Sequence, residues 1–185
     1  MPPFMGTPVN IQWCASARAG VRAVLLFFWV STWLATGHAQ ALQKPIGPVL
    51  LTVSGLIGQR NAGAAAEFDA AMLDALPEST ITTKTPWHSK PARFSGPSLK
   101  SLLNAVGAKG QVLRLSALDK YEVSVPMSDV ESFNPALALR IDGTLLTIRS
   151  RGPVLLMYPF DKFSHIDTDV YYGRSVWQLL RIVVE

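Results

Sequence analysis

The chain is 185 residues long, 49% hydrophobic and 16% charged, with a formal net charge of +4. That length suits one domain with a core of its own rather than a multidomain assembly. The basic residues are scattered, which argues against a nucleic-acid surface, and the lone cysteine, Cys14, excludes an intrachain disulfide.

The amino terminus reads as an export signal. Arg18 and Arg22 precede an uncharged run, 23–35 (AVLLFFWVSTWLA), that is shorter than the roughly 20 residues a membrane-spanning helix needs. Ala39 and Ala41 then stand in the small-residue positions of a cleavage site. Residues 1–41 are expected to be a signal peptide, with Met5 as an alternative start and an uncleaved amino-terminal anchor as the alternative role. Residues 42–185 are then one periplasmic or secreted domain of net charge +2, with 15 Lys+Arg against 13 Asp+Glu. Cys14 departs with the leader, so this domain offers no thiolate and must be held by packing alone. It contains no internal repeat and no low-complexity tract.

The first predicted element is a strand after Pro48, with Val49, Leu51 and Val53 on one face and Gly55 and Gly58 closing it. Phe68, Ala71, Met72, Ala75 and Leu76 recur at helical spacing and predict a helix stopped by Pro77. The Thr- and Ile-rich stretch 79–85 predicts a strand, and 86–91 a loop. Gly96-Pro97-Ser98 opens a second helix. Ser98 is its N-cap, Leu99, Leu102, Leu103 and Val106 its buried stripe, and Gly107 its carboxy-terminal cap.

Strands follow at 112–117 and 121–125, joined by Leu118-Asp119-Lys120, where Asp119 is placed to make turn hydrogen bonds. Ser128 and Glu131 have the spacing of a capping box. A hairpin through Asp142-Gly143 joins 137–141 to 145–149. After a loop at 150–153 comes an apolar strand, 154–158, ended by Pro159. The polar stretch 160–174 is irregular, and 175–184 is a closing strand with Trp177 in the core. Many strands with two helices inserted early predict an α+β fold rather than a regular βαβ alternation.

Three groups of side chains could carry chemistry. Arg149 and Arg151, with Lys84, Lys90 and Arg93, could bind phosphate or carboxylate, which suit guanidinium forks; otherwise they are ordinary surface cations. Trp87 could stack on a planar ligand and His88 donate to it; otherwise Trp87 plugs the core and His88 is solvated. His165, Asp167 and Asp169 alternate, so a strand would set them on one face as zinc or manganese ligands; a solvated loop is the plainer alternative. No G-x-S-x-G, H-E-x-x-H or phosphate-cradling glycine loop is present.

The order F-x-G-x-x-L-x-x-L-L (Phe94, Gly96, Leu99, Leu102, Leu103), A-L-D-K-Y (Ala117 to Tyr121), A-x-x-x-D-G-x-x-L (Ala138, Asp142, Gly143, Leu146) and R-G-P-x-x-x-x-Y-P (Arg151 to Pro159) resembles the oxidoreductase molybdopterin-binding domain. That is the domain of sulfite oxidases, plant nitrate reductases and the bacterial periplasmic methionine sulfoxide reductase catalytic subunit. The resemblance runs from Pro48 to Val184 and is greatest to short, exported single-domain members. It implies a mixed β-sheet fold of the sulfite oxidase type, reduced in size, around a molybdopterin-type cofactor.

Catalytic members of that family hold molybdenum with one cysteine thiolate on the strand before a Trp-containing loop. Anchoring on Trp87 puts Thr83 at that position; counting back from Gly96 puts Lys84 there. The resemblance also brings the turn carrying Arg149 and Arg151 near the cofactor pocket. It therefore implies a site made of Thr83, Lys84, Trp87, His88, Arg149 and Arg151, without the thiolate. Two functions follow. One is a periplasmic redox protein that binds a molybdopterin-type cofactor. The other is a non-catalytic binding or sensory module whose pocket takes a small anion or whose surface meets a membrane-bound redox or signalling partner; neither involves nucleic acid.

Overall fold

The computed structural model of the protein describes residues 42–185, so the signal-peptide expectation for residues 1–41 lies outside the described residues. Period-two burial defines the first strand: β1 (Leu51–Gly55) buries Leu51 and Val53 completely. It pairs antiparallel with β2 (Ala66–Phe68) and parallel with β11 (Leu179–Val184), the last strand of the chain. On its other side β11 pairs with β5 (Val112–Ala117), which continues to β6 (Glu122–Pro126). The order β2-β1-β11-β5-β6 thus puts the carboxy-terminal strand at the centre of a five-stranded sheet.

A second sheet has the order β3-β4-β8-β9, from β3 (Glu78–Thr85), β4 (His88–Pro97), β8 (Arg140–Ile141) and β9 (Thr144–Leu145). A separate two-stranded ladder pairs β7 (Ala136–Ala138) with β10 (Leu155–Met157), and every residue of this pair is buried. Helices α1 (Ala70–Asp74), α2 (Leu99–Ala105), α3 (Met127–Phe133) and α4 (Asp169–Arg174) complete a mixed α+β architecture. No helix among the described residues is long and apolar enough to cross a membrane.

Several local expectations hold. Ser98 caps α2 by accepting the Ser101 amide at 3.0 Å, and Leu99, Leu102, Leu103 and Val106 are buried. Asp142 and Gly143 both have positive φ, 50° and 80°, as the tight β8–β9 turn demands.

Others are corrected. The helix expected over Phe68 to Leu76 is only α1, and Phe68 belongs to β2. Asp69 is the cause. Extended in backbone, it caps α1 through the Met72 amide at 2.9 Å and accepts the Ile46 and Gly47 amides at 2.8 Å each. These amides, Gly47 first and Met72 next, hold its carboxyl below the usual carboxylate range against the opposing effect of burial.

The loop expected at 86–91 is a tight hairpin: Thr85 faces His88 across Pro86-Trp87, and β4 runs through Pro91. The β3–β4 register slips between Thr83 and Thr85, the kind of irregularity where a strand tolerates a residue without an N–H. Helix α3 already starts at Met127, with Pro126 in the N-cap position, too early for Ser128 to cap it, and Glu131 instead pairs with Lys100 at 2.7 Å. The strand expected over 145–149 stops at Leu145. Thr147 and Ser150 then cap each other around a 3₁₀ turn, Ile148–Ser150. The irregular stretch 160–174 holds a 3₁₀ turn, Ser164–Ile166, and α4, because Ile166 is buried and Phe163, Tyr171 and Tyr172 pack on the core. The closing strand starts only at Leu179, and Trp177 is half-buried at the core's edge.

Candidate functional site

The β3–β4 hairpin carries Trp87 and His88 at its tip. Thr85 Oγ1 lies 2.8 Å from His88 Nδ1 and accepts the Trp87 amide at 3.3 Å. Beyond the Trp87 amide, Oγ1 keeps a proton and a second lone pair, so it can donate to Nδ1 with the ring proton on Nε2, or accept from Nδ1–H. The 3₁₀ turn Ile148–Ser150 is brought up to the start of β11 by Gln178. Its side-chain amide donates to the Ile148 carbonyl at 2.8 Å, and its backbone amide to the Arg151 carbonyl at 3.0 Å. Arg151 then lays its guanidinium 4.0 Å from the centre of the Trp177 ring. Trp177 meets Trp87 edge-on at 5.0 Å. Aromatic packing thus fixes a cation that the sequence presents as a loop residue.

His88, Arg149 and Arg151 line one cavity of about 280 Å³, with Ile141, Leu145 and Leu146 as its apolar wall, the Thr144 hydroxyl beside them, and Ser150 donating to the Thr147 carbonyl at 3.3 Å. Arg149 is exposed and Arg151 half-buried. Burial, and after it the Arg151 cation, hold the His88 pKa below its ordinary value, with Asp142 acting in the opposite sense. His88 is therefore neutral at pH 7, and the cavity's fixed charge comes from its two arginines.

A titration follows from this. An NMR pH series is expected to place the His88 midpoint below 6.5, with Arg151→Ala moving it up and Asp142→Asn moving it further down. The folded state resists protonation of this ring. His88 therefore adds nothing to stability above about pH 7 and costs stability as pH falls through 6.5 toward its folded midpoint. A midpoint at or above 6.5 would contradict the placement of Arg151 beside it.

The structure separates the other candidates from this cavity. Thr83 is fully buried; its hydroxyl oxygen accepts the Asp161 amide at 3.0 Å while its proton goes to the Lys84 carbonyl at 3.2 Å. Lys84 is exposed on the opposite face of β3, its amide donating to Asp161 Oδ2 at 3.1 Å, and it does not line the cavity. Lys90 and Arg93 lie exposed on β4. Trp87 faces a different, aromatic cavity. The strand that would set His165, Asp167 and Asp169 on one face is not formed. The segment is helical rather than extended, Asp167 accepts the Tyr172 hydroxyl, and no group of three His, Cys, Asp or Glu among the described residues is set to hold a metal. Asp119 accepts the Tyr121 amide at 3.0 Å, the turn role expected of it.

Neither position implied for a molybdenum ligand, Thr83 or the exposed Lys84, supplies a thiolate. Thr83 presents a hard oxygen, buried and with its donor and acceptor capacity already used, where a soft thiolate is required. Sequence reading missed a buried triad outside the cavity, Asp129 with Tyr158 and Arg174, because its members lie 29 and 45 residues apart and share no spacing signal. A scan of the chain against protein-family models finds no match, and no curated protein matches it.

Proposed function

We propose that this is an exported binding module for a small anion, built on a reduced sulfite oxidase-type fold. The observation that carries the reading is the cavity in which Arg149 and Arg151 converge beside a neutral His88. Two guanidinium groups suit a carboxylate or phosphate, and the Thr144 hydroxyl, with His88 Nε2–H when Thr85 donates to Nδ1, can complete its hydrogen bonds. Arg151 is pinned against Trp177, so little side-chain entropy is lost when a ligand binds it. At about 280 Å³ the cavity lies just below the range usual for drug-sized ligands, which favours a compact anion or the anionic end of a larger one.

Thr83 favours this non-catalytic reading over molybdenum chemistry, because a metal arriving at that position would find no soft ligand from the chain. A membrane-bound redox or signalling partner would then read the ligand state of the module.

The test is a thermal-shift screen of pterins, nucleotides and small carboxylates against the protein. A ligand present at a hundredfold excess over its Kd adds about 2.7 kcal/mol to stability. At least one anion is expected to raise Tm. Arg151→Ala is expected to shrink that ligand-induced shift more than Lys162→Ala, whose charge lies over Phe163 and away from the cavity. No stabilising anion, or equal loss in the two variants, would overturn the proposal.

A further inference from the structure

Behind the hairpin tip lies a second cavity, of about 190 Å³, with Trp87, Tyr121, Tyr172 and Trp177 among its walls and Asp119 at its edge. The rings stand nearly at right angles: Trp87 meets Trp177 at 82° and 5.0 Å, and Tyr172 at 72° and 5.8 Å. The hydroxyl groups around them are already engaged, whereas the buried Trp177 Nε1–H has no partner. The Tyr121 hydroxyl donates to the Gly173 carbonyl at 3.0 Å, Tyr172 donates to Asp167, and Ser175 donates to the Tyr171 carbonyl at 3.0 Å. These side chains have ring surface left to offer a guest, and the carboxylate of Asp119 is the one charge lining the cavity.

From this arrangement we infer that the cavity is an aromatic cage for a compact organic cation, a quaternary ammonium or fully methylated amine. Electron-rich ring faces attract such a cation, and a methylated nitrogen needs no hydrogen-bond acceptors to replace its water. A primary ammonium would need about three acceptors, and Asp119 is the one carboxylate lining the cavity.

The surrounding charges agree. Asp167, through its hydrogen bond, and then burial push the Tyr172 hydroxyl up to about 12, with the charges of Asp167 and Asp169 adding to the shift. The nearby cations are already engaged. Arg174 is held by Asp129 at 2.8 Å, Lys120 lines a separate cavity with Thr52 and Arg181, and Arg151, which lines the anion cavity, lies over the Trp177 ring at 4.0 Å. Arg151 already covers one face of Trp177, so a guest cation would rest on the ring surface that remains, with Asp119 offsetting the arginine's charge.

This inference stands apart from the anion reading, because the two cavities share no lining residue. Isothermal titration calorimetry of the protein with choline, and with the uncharged analogue in which carbon replaces the nitrogen, tests it. Choline is expected to bind saturably, and the analogue about tenfold more weakly or less. Asp119→Asn keeps an oxygen for the Tyr121 amide and is expected to weaken choline several-fold while leaving the analogue unchanged. Tyr172→Leu is expected to weaken choline at least as much, and Lys162→Ala to change nothing. Absence of saturable choline binding, equal affinity for the analogue, or indifference to Asp119→Asn would each overturn the inference, whatever the anion screen returns.

Discussion

Replacing Gly96 by alanine is expected to cost about 3 kcal/mol of unfolding free energy or more, and to lower Tm by roughly 10 °C. Gly96 sits in β4 where that strand passes β7. A β-carbon there would press into the Leu137 carbonyl oxygen and lie 3.0 Å from the Leu139 amide nitrogen. Both are backbone atoms, so no rotamer change relieves the clash. Nor can the backbone step aside. Leu139 donates to the Ser95 carbonyl at 2.9 Å, and β7 is locked against β10 inside a wholly buried pair. Gly143→Ala is the control: its φ of +80° disfavours a side chain, but no atom lies within 4 Å, so a cost of only about 1 kcal/mol is expected. Thermal and urea unfolding followed by circular dichroism would measure both. Equal losses would show that β4 and β7 do not approach as closely as described.

Removing the Asp129 carboxylate should be nearly as damaging. Asp129 Oδ2 accepts the Tyr158 hydroxyl at 3.0 Å and the Arg174 guanidinium at 2.8 Å; Tyr158 is fully buried and Asp129 almost so. Asp129→Ala leaves a buried hydroxyl without a partner and a cation facing an apolar wall. Breaking such a pair costs about 3–5 kcal/mol, and the lower end is expected because the Arg174 side chain keeps 22% of its exposure and water can reach it. Asp129→Asn, which preserves an acceptor for Tyr158, should cost about half as much. The pair ties α3 to α4, so amide exchange across 169–174 should rise more than exchange in β1 or β5. A stability change under about 0.5 kcal/mol in Asp129→Ala would refute the triad.

The cavity shows how far side-chain types can be read before the fold is known. Arg149, Arg151 and His88 were suspected on chemical grounds, and the structure brings these three together. Lys84 was suspected with them and stands apart. Thr83 and Thr85 share the buried face of β3, and the period of two sends Lys84 to the other face, a separation that alternation along the strand could have revealed. Asp119 was placed correctly in its turn, yet its part in an aromatic cavity depends on Tyr172 and Trp177, which arrive from the far end of the chain.

By itself, the sequence determined the features that depend on near neighbours. These are the alternation that buries Leu51 and Val53, the Ser98 cap of α2, the Asp142-Gly143 turn, the β5–β6 hairpin and the α+β class. Such signals are legible because the groups that satisfy them lie within a few residues. The tertiary structure alone decided the parallel pairing of β1 with β11, the course of β4 through Pro91, the helical turns between Phe160 and Arg174, and the closure of Thr83 by Asp161. Each of these is settled by a partner far away in sequence. The free energy that selects it comes from burying apolar surface and pairing polar groups after the chain has closed, and residue spacing carries no record of that.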